Sequence, residues 1–309
     1  MSVTPEQQRW KSIEIGTDHV AFDLEGKRQE FKRTRLPPEF LEWIKEGRLG
    51  MYNMLEGNAG SAGFFASHLP VVITYSPKSA FPFNTGNKGV GLIPVPEAID
   101  DYCERYQRVL EQNAHRAWDE SLKERLNCVR EFISGGAVSD EALVTLEIFE
   151  RNTFHNLCEN PIAALHYTGD GPVYRSYQIN VVVQIVSPEH PIYQFVFLSR
   201  QLFEYDSFHI TQTQFPYAYV FYPIEVKDKT PFPRREGLKG FPTPKSWDSM
   251  MLVWHEDVLE QLIRAPEYIQ KFIIKLTEEY AREHGHTEVN LPMFNAIRSR
   301  YMGKKDHSM

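Results

Sequence analysis

The residues best placed to do chemistry are Arg151, Asn152 and Thr153. They follow the apolar run ALVTLEIF (142–149) and open the segment RNTFHNLCEN (151–160), so they stand where a strand gives way to a helix. The first backbone N–H groups of a helix have no partner within it, and the helix dipole is positive there. Arg151 adds a fork of donors and Thr153 a hydroxyl, a combination that suits a phosphate. The same residues also suit a purely local job, with Asn152 or Thr153 capping the helix.

Other motifs point away from chemistry. NTGNKGVG (84–91) is not a P-loop, because Lys88 precedes Gly89 and prolines follow where Ser or Thr and a helix are needed; a turn is expected. The eleven histidines form no HExxH. His284 and His286 flank Gly285 at a helix end, where the dipole favours a cation and capping is the natural role. His255-Glu256 has no second histidine beside it, and there is no G-x-S-x-G elbow. Cys103, Cys128 and Cys158 lack metal-site spacing and read as reduced thiols. Glu204 and Asp206 are close in sequence, but nothing places them in a common pocket.

The elements that must position these residues follow from periodicity. RLPPEFLEWIKEGRLG reads as a helix entered at Pro37-Pro38, with Phe40, Leu41 and Ile44 on one face and Gly47 as its end. Residues 57–94 read as loops and short strands, VVITYS (71–76) among them. From Pro96 to Ile133, apolar residues recur at steps of three and four, predicting one long helix or two in line, closed by Gly135-Gly136. That stripe, from Ile99 to Ile133, would pack internally or on a partner. Strands are expected at 142–149, 162–168, 173–186 and 217–228, a turn at 169–171, and helices at 151–160 and 188–205. Hairpin-linked strands with interspersed helices predict an α+β fold with an antiparallel sheet or small barrel. The proline-rich segment 229–248 reads as a linker. The tail predicts three helices, at 254–264, 266–285 and 292–301. In the second, Ile269, Phe272, Ile273, Leu276 and Tyr280 face inward, and Lys271, Lys275, Glu278 and Arg282 outward.

The composition bounds the function. A net charge of -7 gives no basic face for nucleic acid. No apolar run approaches the roughly 20 residues of a membrane helix, and MSVTPEQQRWKSIEIG has no signal-peptide pattern, so a cytoplasmic protein without a membrane span is expected. A length of 309 residues suggests about two domains.

Leu143 to Val186, with the N-L-C-E-N-P of Asn156–Pro161 and the long strand after it, resembles the pyridoxamine-phosphate-oxidase-like split β-barrel family. The resemblance implies an antiparallel split β-barrel over 1–228 with a helical insertion at 96–135, and an FMN-binding homodimer. Arg151 and Thr153 would meet the phosphate, Asn156 belongs to the same motif, and Arg175 and Gln178 are further candidates for ring or phosphate contacts. Haem or another tetrapyrrole is the alternative ligand, since members of the superfamily differ in cofactor. Residues 249–309 carry Trp254, Pro266, Phe272, Glu279-Tyr280-Ala281-Arg282-Glu283 and Gly285 in the order of a different protein. They resemble the C-terminal module of the light-independent protochlorophyllide reductase B-type subunit, which implies a link to chlorophyll biosynthesis or photosynthesis. Three functions are therefore open: a flavin-dependent oxidoreductase, a non-catalytic tetrapyrrole-binding protein, and an assembly scaffold of a photosynthetic complex.

Overall fold

The structure, a computed structural model, describes residues 9–58, 64–78, 81–169, 175–203, 215–230 and 245–302. The turn at 170–171, Glu204 and Asp206, and 231–244 of the proline-rich segment lie outside the described residues. The chain divides into two compact units, Met1–Thr230 and Pro231–Met309.

The first unit begins with an antiparallel meander, β1 (Trp10–Ile15), β2 (His19–Leu24) and β3 (Lys27–Lys32), which the sequence reading missed. Its local signal is Glu25-Gly26, both left-handed (φ 54 and 76), the two-residue turn of a hairpin. Asn or Asp usually precedes the glycine in such turns, and glutamate hides the pattern. The meander buries Trp10, Val20 and Phe22 against Val182.

Two helices, α1 (Pro38–Leu55) and α2 (Phe64–His68), lead into the main sheet. Its strands are β4 (Val71–Tyr75), β5 (Phe83–Asn87), β6 (Gly91–Pro94), β7 (Val138–Leu146), β8 (Ile162–Thr168), β9 (Ser176–Val186) and β10 (Ala218–Asp228). They form a seven-stranded sheet in the order β5-β4-β8-β9-β10-β7-β6, with every pairing antiparallel. The two edge strands, β5 and β6, are joined by residues 88–90 alone. So short a link spans at most about 14 Å, and the sheet must curl until its edges nearly meet. Among the described residues no ladder pairs β5 with β6, so the curled sheet stays open along that seam.

The link is held on both sides. Val90 N–H donates to the His68 carbonyl at 2.9 Å, and Arg48 donates to the Val90 carbonyl at 2.8 Å. Gly89 lies against the His68 ring, where a Cβ would come within 2.9 Å of Nε2. Gly89→Ala is therefore expected to cost about 1–2 kcal/mol through overpacking, read as a lower urea midpoint at unchanged m.

Helices α3 (Ile99–Gln112), α4 (Trp118–Ser134) and α6 (Pro191–Gln201) complete the core. The expected in-line arrangement of 96–133 is corrected. The chain breaks at Asn113, whose side chain bonds the Val109 carbonyl and takes a bond from Arg116, and then folds back. Tyr102 near the start of α3 meets Phe132 near the end of α4, with centroids 5.1 Å apart. The apolar stripe is thereby spent inside the unit: Tyr102, Tyr106, Leu126, Val129, Phe132 and Ile133 are buried in the main core. Cys103, Leu110 and Leu122 are partly buried against the same core. Gly136, left-handed at φ 74, closes the turn after α4. Gly47 does not end α1 but lies buried within it, because the helix still has Tyr52 to bury, stacked on Phe203 at 5.8 Å.

The second unit pairs β11 (Val253–Trp254) with β12 (Glu288–Val289) and holds α7 (Glu256–Leu262), α8 (Glu267–Glu283) and α9 (Leu291–Met302). The face assigned to α8 is corrected at Phe272 and Glu278, while Ile273 and Tyr280 pack on the core as expected. Gln270, Ile274, Thr277, Glu278 and Ala281 are buried, whereas Phe272 is 61% exposed. Glu278 turns inward because it accepts bonds from the Met251 and Leu252 amides and the Trp254 indole. Gln270 likewise accepts from Ser246 and Trp247. Hydrophobic periodicity cannot see a core face made of matched polar groups. His284 stacks on Tyr280 beside the left-handed Gly285 (φ 73), at the end of α8. Among the described residues, no helix is long and apolar enough to cross a membrane.

Candidate functional site

The strand-to-helix junction is built around one carboxylate. β7 ends at Leu146, and the next residue, Glu147, has a side chain only 1% exposed. Its Oε1 accepts the N–H groups of Phe149 (2.8 Å) and Glu150 (2.9 Å). Its Oε2 accepts from Lys88 Nζ at 2.8 Å and the Tyr219 hydroxyl at 2.5 Å. Glu150 is held left-handed at φ 43, a conformation that costs a side-chain-bearing residue roughly 1 kcal/mol or more and persists only where its surroundings impose it. Burial alone would raise the Glu147 carboxyl. The Lys88 charge, with bonds from Lys88, Tyr219 and the Phe149 amide, outweighs burial and holds it below the ordinary carboxylate value. Burial, then the Glu147 charge, pushes the Tyr219 hydroxyl well up.

The turn delivers Arg151 to the start of α5 (Asn152–Glu159). This helix forms because Phe154 and Leu157 are fully buried, Phe154 stacking on Tyr217 at 5.3 Å. It stops at Asn160, which is extended ahead of Pro161. The N-cap is Arg151 itself, with no side-chain capping bond, which corrects the expectation that Asn152 or Thr153 caps the helix. Arg151 is exposed and lies over the ring of Phe149 at 5.4 Å. It forms no ion pair among the described residues, and Phe149 is itself 54% exposed.

Thr153 and Asn156 face the sheet. Thr153 Oγ1 accepts from Asn84 on β5 at 3.1 Å, and Asn156 donates to Thr74 on β4 at 3.2 Å. Thr153 keeps its own hydroxyl proton to donate. Asn156 is buried and spent on the sheet, a positioning role. Arg175 and Gln178 lie elsewhere. The Arg175 carbonyl accepts from Gly169 N–H, and Gln178 donates to Asn180 at 2.8 Å. Register decides this. Thr74 and Asn84 pair across to Ala163, while Gln178 pairs with His166, three positions along the same strand. An odd offset puts Gln178 on the opposite face of the sheet from Asn84, Thr74 and Thr153. Within one chain, then, Arg151 and Thr153 share a site with Asn156 beneath them, and Arg175 and Gln178 do not join it.

Lys88, Glu147 and Tyr219 were missed. The available signal was the lysine in NTGNKG, which a turn alone leaves without a partner. Burial pushes the thiols up, Cys158 to about 12 and Cys103 and Cys128 to about 11, which disfavours the thiolate. No group of three metal-ligating side chains occurs among the described residues.

Fold and site together define an α+β protein with a curled antiparallel sheet and a helix start, uncapped by any side chain, whose Arg151 has no acid partner among the described residues. No family model matches the chain, its tail included, and no curated protein matches it. Among solved structures, the heme storage protein HutZ from Vibrio cholerae is 10% identical, over 63% of this chain and 95% of that one, at a TM-score of 0.34. An FMN-binding protein from Syntrophomonas wolfei is 8% identical, over 62% and 89%, also at 0.34. HupZ from group A Streptococcus is 11% identical, over 53% and 86%, at 0.29. The heme and FMN in those names are those proteins' own.

Proposed function

We propose that the first unit is a split β-barrel that binds FMN by its phosphate at the start of α5, in a homodimer, and serves as a flavin-dependent oxidoreductase. The observation that carries this is the exposed Arg151 guanidinium, without an acid partner among the described residues, at a helix start that no side chain caps. The residues fit a phosphate. Arg151 offers a charged fork, the first-turn amides and the Thr153 hydroxyl offer further donors, and Lys88 neutralises the one buried carboxylate nearby. Exposed Phe149 offers a flat apolar surface beside the cation. The three-residue link between the edge strands supports the barrel. Tyr75, Phe81 and Phe83, exposed in contact around edge strand β5, are the surface a second copy would cover. Bound FMN would supply the redox chemistry; the chain's own part is to grip the phosphate and shield the ring from water.

Titration of the apoprotein with FMN, followed by flavin fluorescence, tests the reading. Saturable binding is expected, weakened by about 10–100-fold in Arg151→Ala. Riboflavin, which lacks the phosphate, should bind wild type and variant alike. Binding of heme but not FMN would favour the tetrapyrrole alternative, and equal FMN affinity in Arg151→Ala would overturn the site.

A further inference from the structure

Glu147 poses a question that the phosphate reading does not answer. A carboxylate is buried four residues before Arg151, in the turn that leads to the helix start proposed to hold an anion. Like charges repel, and burial strengthens the repulsion. Yet all its bonds serve the site. Oε1 gathers the amides of Phe149 and Glu150 into the turn that presents Arg151, and Oε2 is shared by Lys88 and Tyr219. Lys88 comes from the 88–90 link across the seam, and its ammonium also lies over the Tyr219 ring at 5.4 Å.

We propose that Glu147 is the positioning residue of the anion site and that Lys88, reaching in from the seam, cancels its charge so that the site still accepts a phosphate. Affinity at Arg151 thereby depends on a residue that touches no ligand. The affinity half of this rests on the phosphate reading above; the positioning half does not. The side chains facing Glu147 are Lys88 from the link and Tyr219 from β10, beside the Phe149 and Glu150 amides of its own loop, and the Glu150 and Cys158 side chains act on the same Tyr219 hydroxyl. Of these, Lys88 is the cation that offsets the carboxylate.

The test uses the full chain and four variants: Lys88→Met, Glu147→Gln and their double variant for binding, and Glu147→Ala for hydrogen exchange. Inorganic phosphate and FMN are titrated between pH 6 and 8, and each Kd is divided by the wild-type value at the same pH, which cancels the phosphate's own ionisation. Lys88→Met should bind on the order of tenfold more weakly at pH 8. The loss should shrink toward pH 6, because a buried carboxylate without its cation takes up a proton more readily. Glu147→Gln keeps an oxygen for both amides and carries no charge, so the double variant should regain affinity and lose the pH dependence. A loss in Lys88→Met that is equal at both pH values, or that is not rescued in the double variant, overturns the proposal. If wild type binds neither ligand, the phosphate reading fails. The positioning claim is then read by hydrogen exchange, where Glu147→Ala should expose the Phe149 and Glu150 amides and Glu147→Gln should not. Unchanged exchange in Glu147→Ala overturns it.

Discussion

Glu278→Ala is expected to loosen the second unit by about 3 kcal/mol while leaving the first untouched. The Glu278 side chain is 4% exposed, and its Oε1 alone accepts three bonds: the Met251 amide at 2.7 Å, the Leu252 amide at 3.0 Å and the Trp254 indole at 3.1 Å. Removing the carboxylate strands three donors, and each buried donor left unsatisfied costs about 1–3 kcal/mol. The partner at Oε2, Arg282, is half-exposed and adds little. Hydrogen exchange along α8 in the full chain should quicken by about a hundredfold, at tenfold per 1.4 kcal/mol, with β8 and β9 unaffected. Uniform quickening of both units would contradict the expectation.

The same residue predicts a pH dependence with a definite sign. Burial pushes the Glu278 carboxyl up, but the Leu252 and Met251 amides, the Trp254 indole and Arg282 together pull it below its ordinary value of 4.5. A carboxyl depressed on folding contributes stability that is complete above the unfolded value and is lost as pH falls through the folded one. The gap between wild type and Glu278→Ala should therefore be constant from neutrality down to about pH 4.5 and close below it. A gap that widens on acidification would refute the assignment.

The second large effect is expected at Phe40→Ala. Phe40 is fully buried on α1 and meets Tyr167 of β8 and Tyr177 of β9 edge-on, each at 5.1 Å. Two rings of the sheet and Trp43 of the helix thus close around one side chain. Truncating a phenylalanine so placed costs about 3–5 kcal/mol, through lost burial and the cavity left behind. At about 2–4 °C per kcal/mol for a unit of this size, the first unit should melt roughly 10 °C lower. Phe40→Leu, which refills much of the space, should recover more than half of that. Equal melting temperatures for Phe40→Ala and wild type would show that α1 is not anchored there.

The strands at 162–168 and 217–228 and the helices of the tail were legible because their signals are local. Alternation along a strand and steps of three and four along a helix need only neighbours in the chain. The junction at Arg151 was legible for the same reason: strand, turn and helix succeed one another within a dozen residues. What failed also failed locally. Glu25-Gly26 made a hairpin with an uncommon residue before its glycine, Asn113 broke a helix without proline or glycine, and α8 turned a polar face inward because each polar group there finds a partner.

By itself, then, the sequence determined an antiparallel α+β protein and a cation at an open helix start, since both follow from patterns a few residues long. Tertiary structure alone decided which groups stand around that cation. Lys88 reaches Glu147 across 59 positions of chain, and Asn84 reaches Thr153 across 69. Gln178 is lost to the site because strand register, set by pairing between distant segments, turns it to the other face. Charge balance and register are properties of pairs, and no stretch of sequence contains both members.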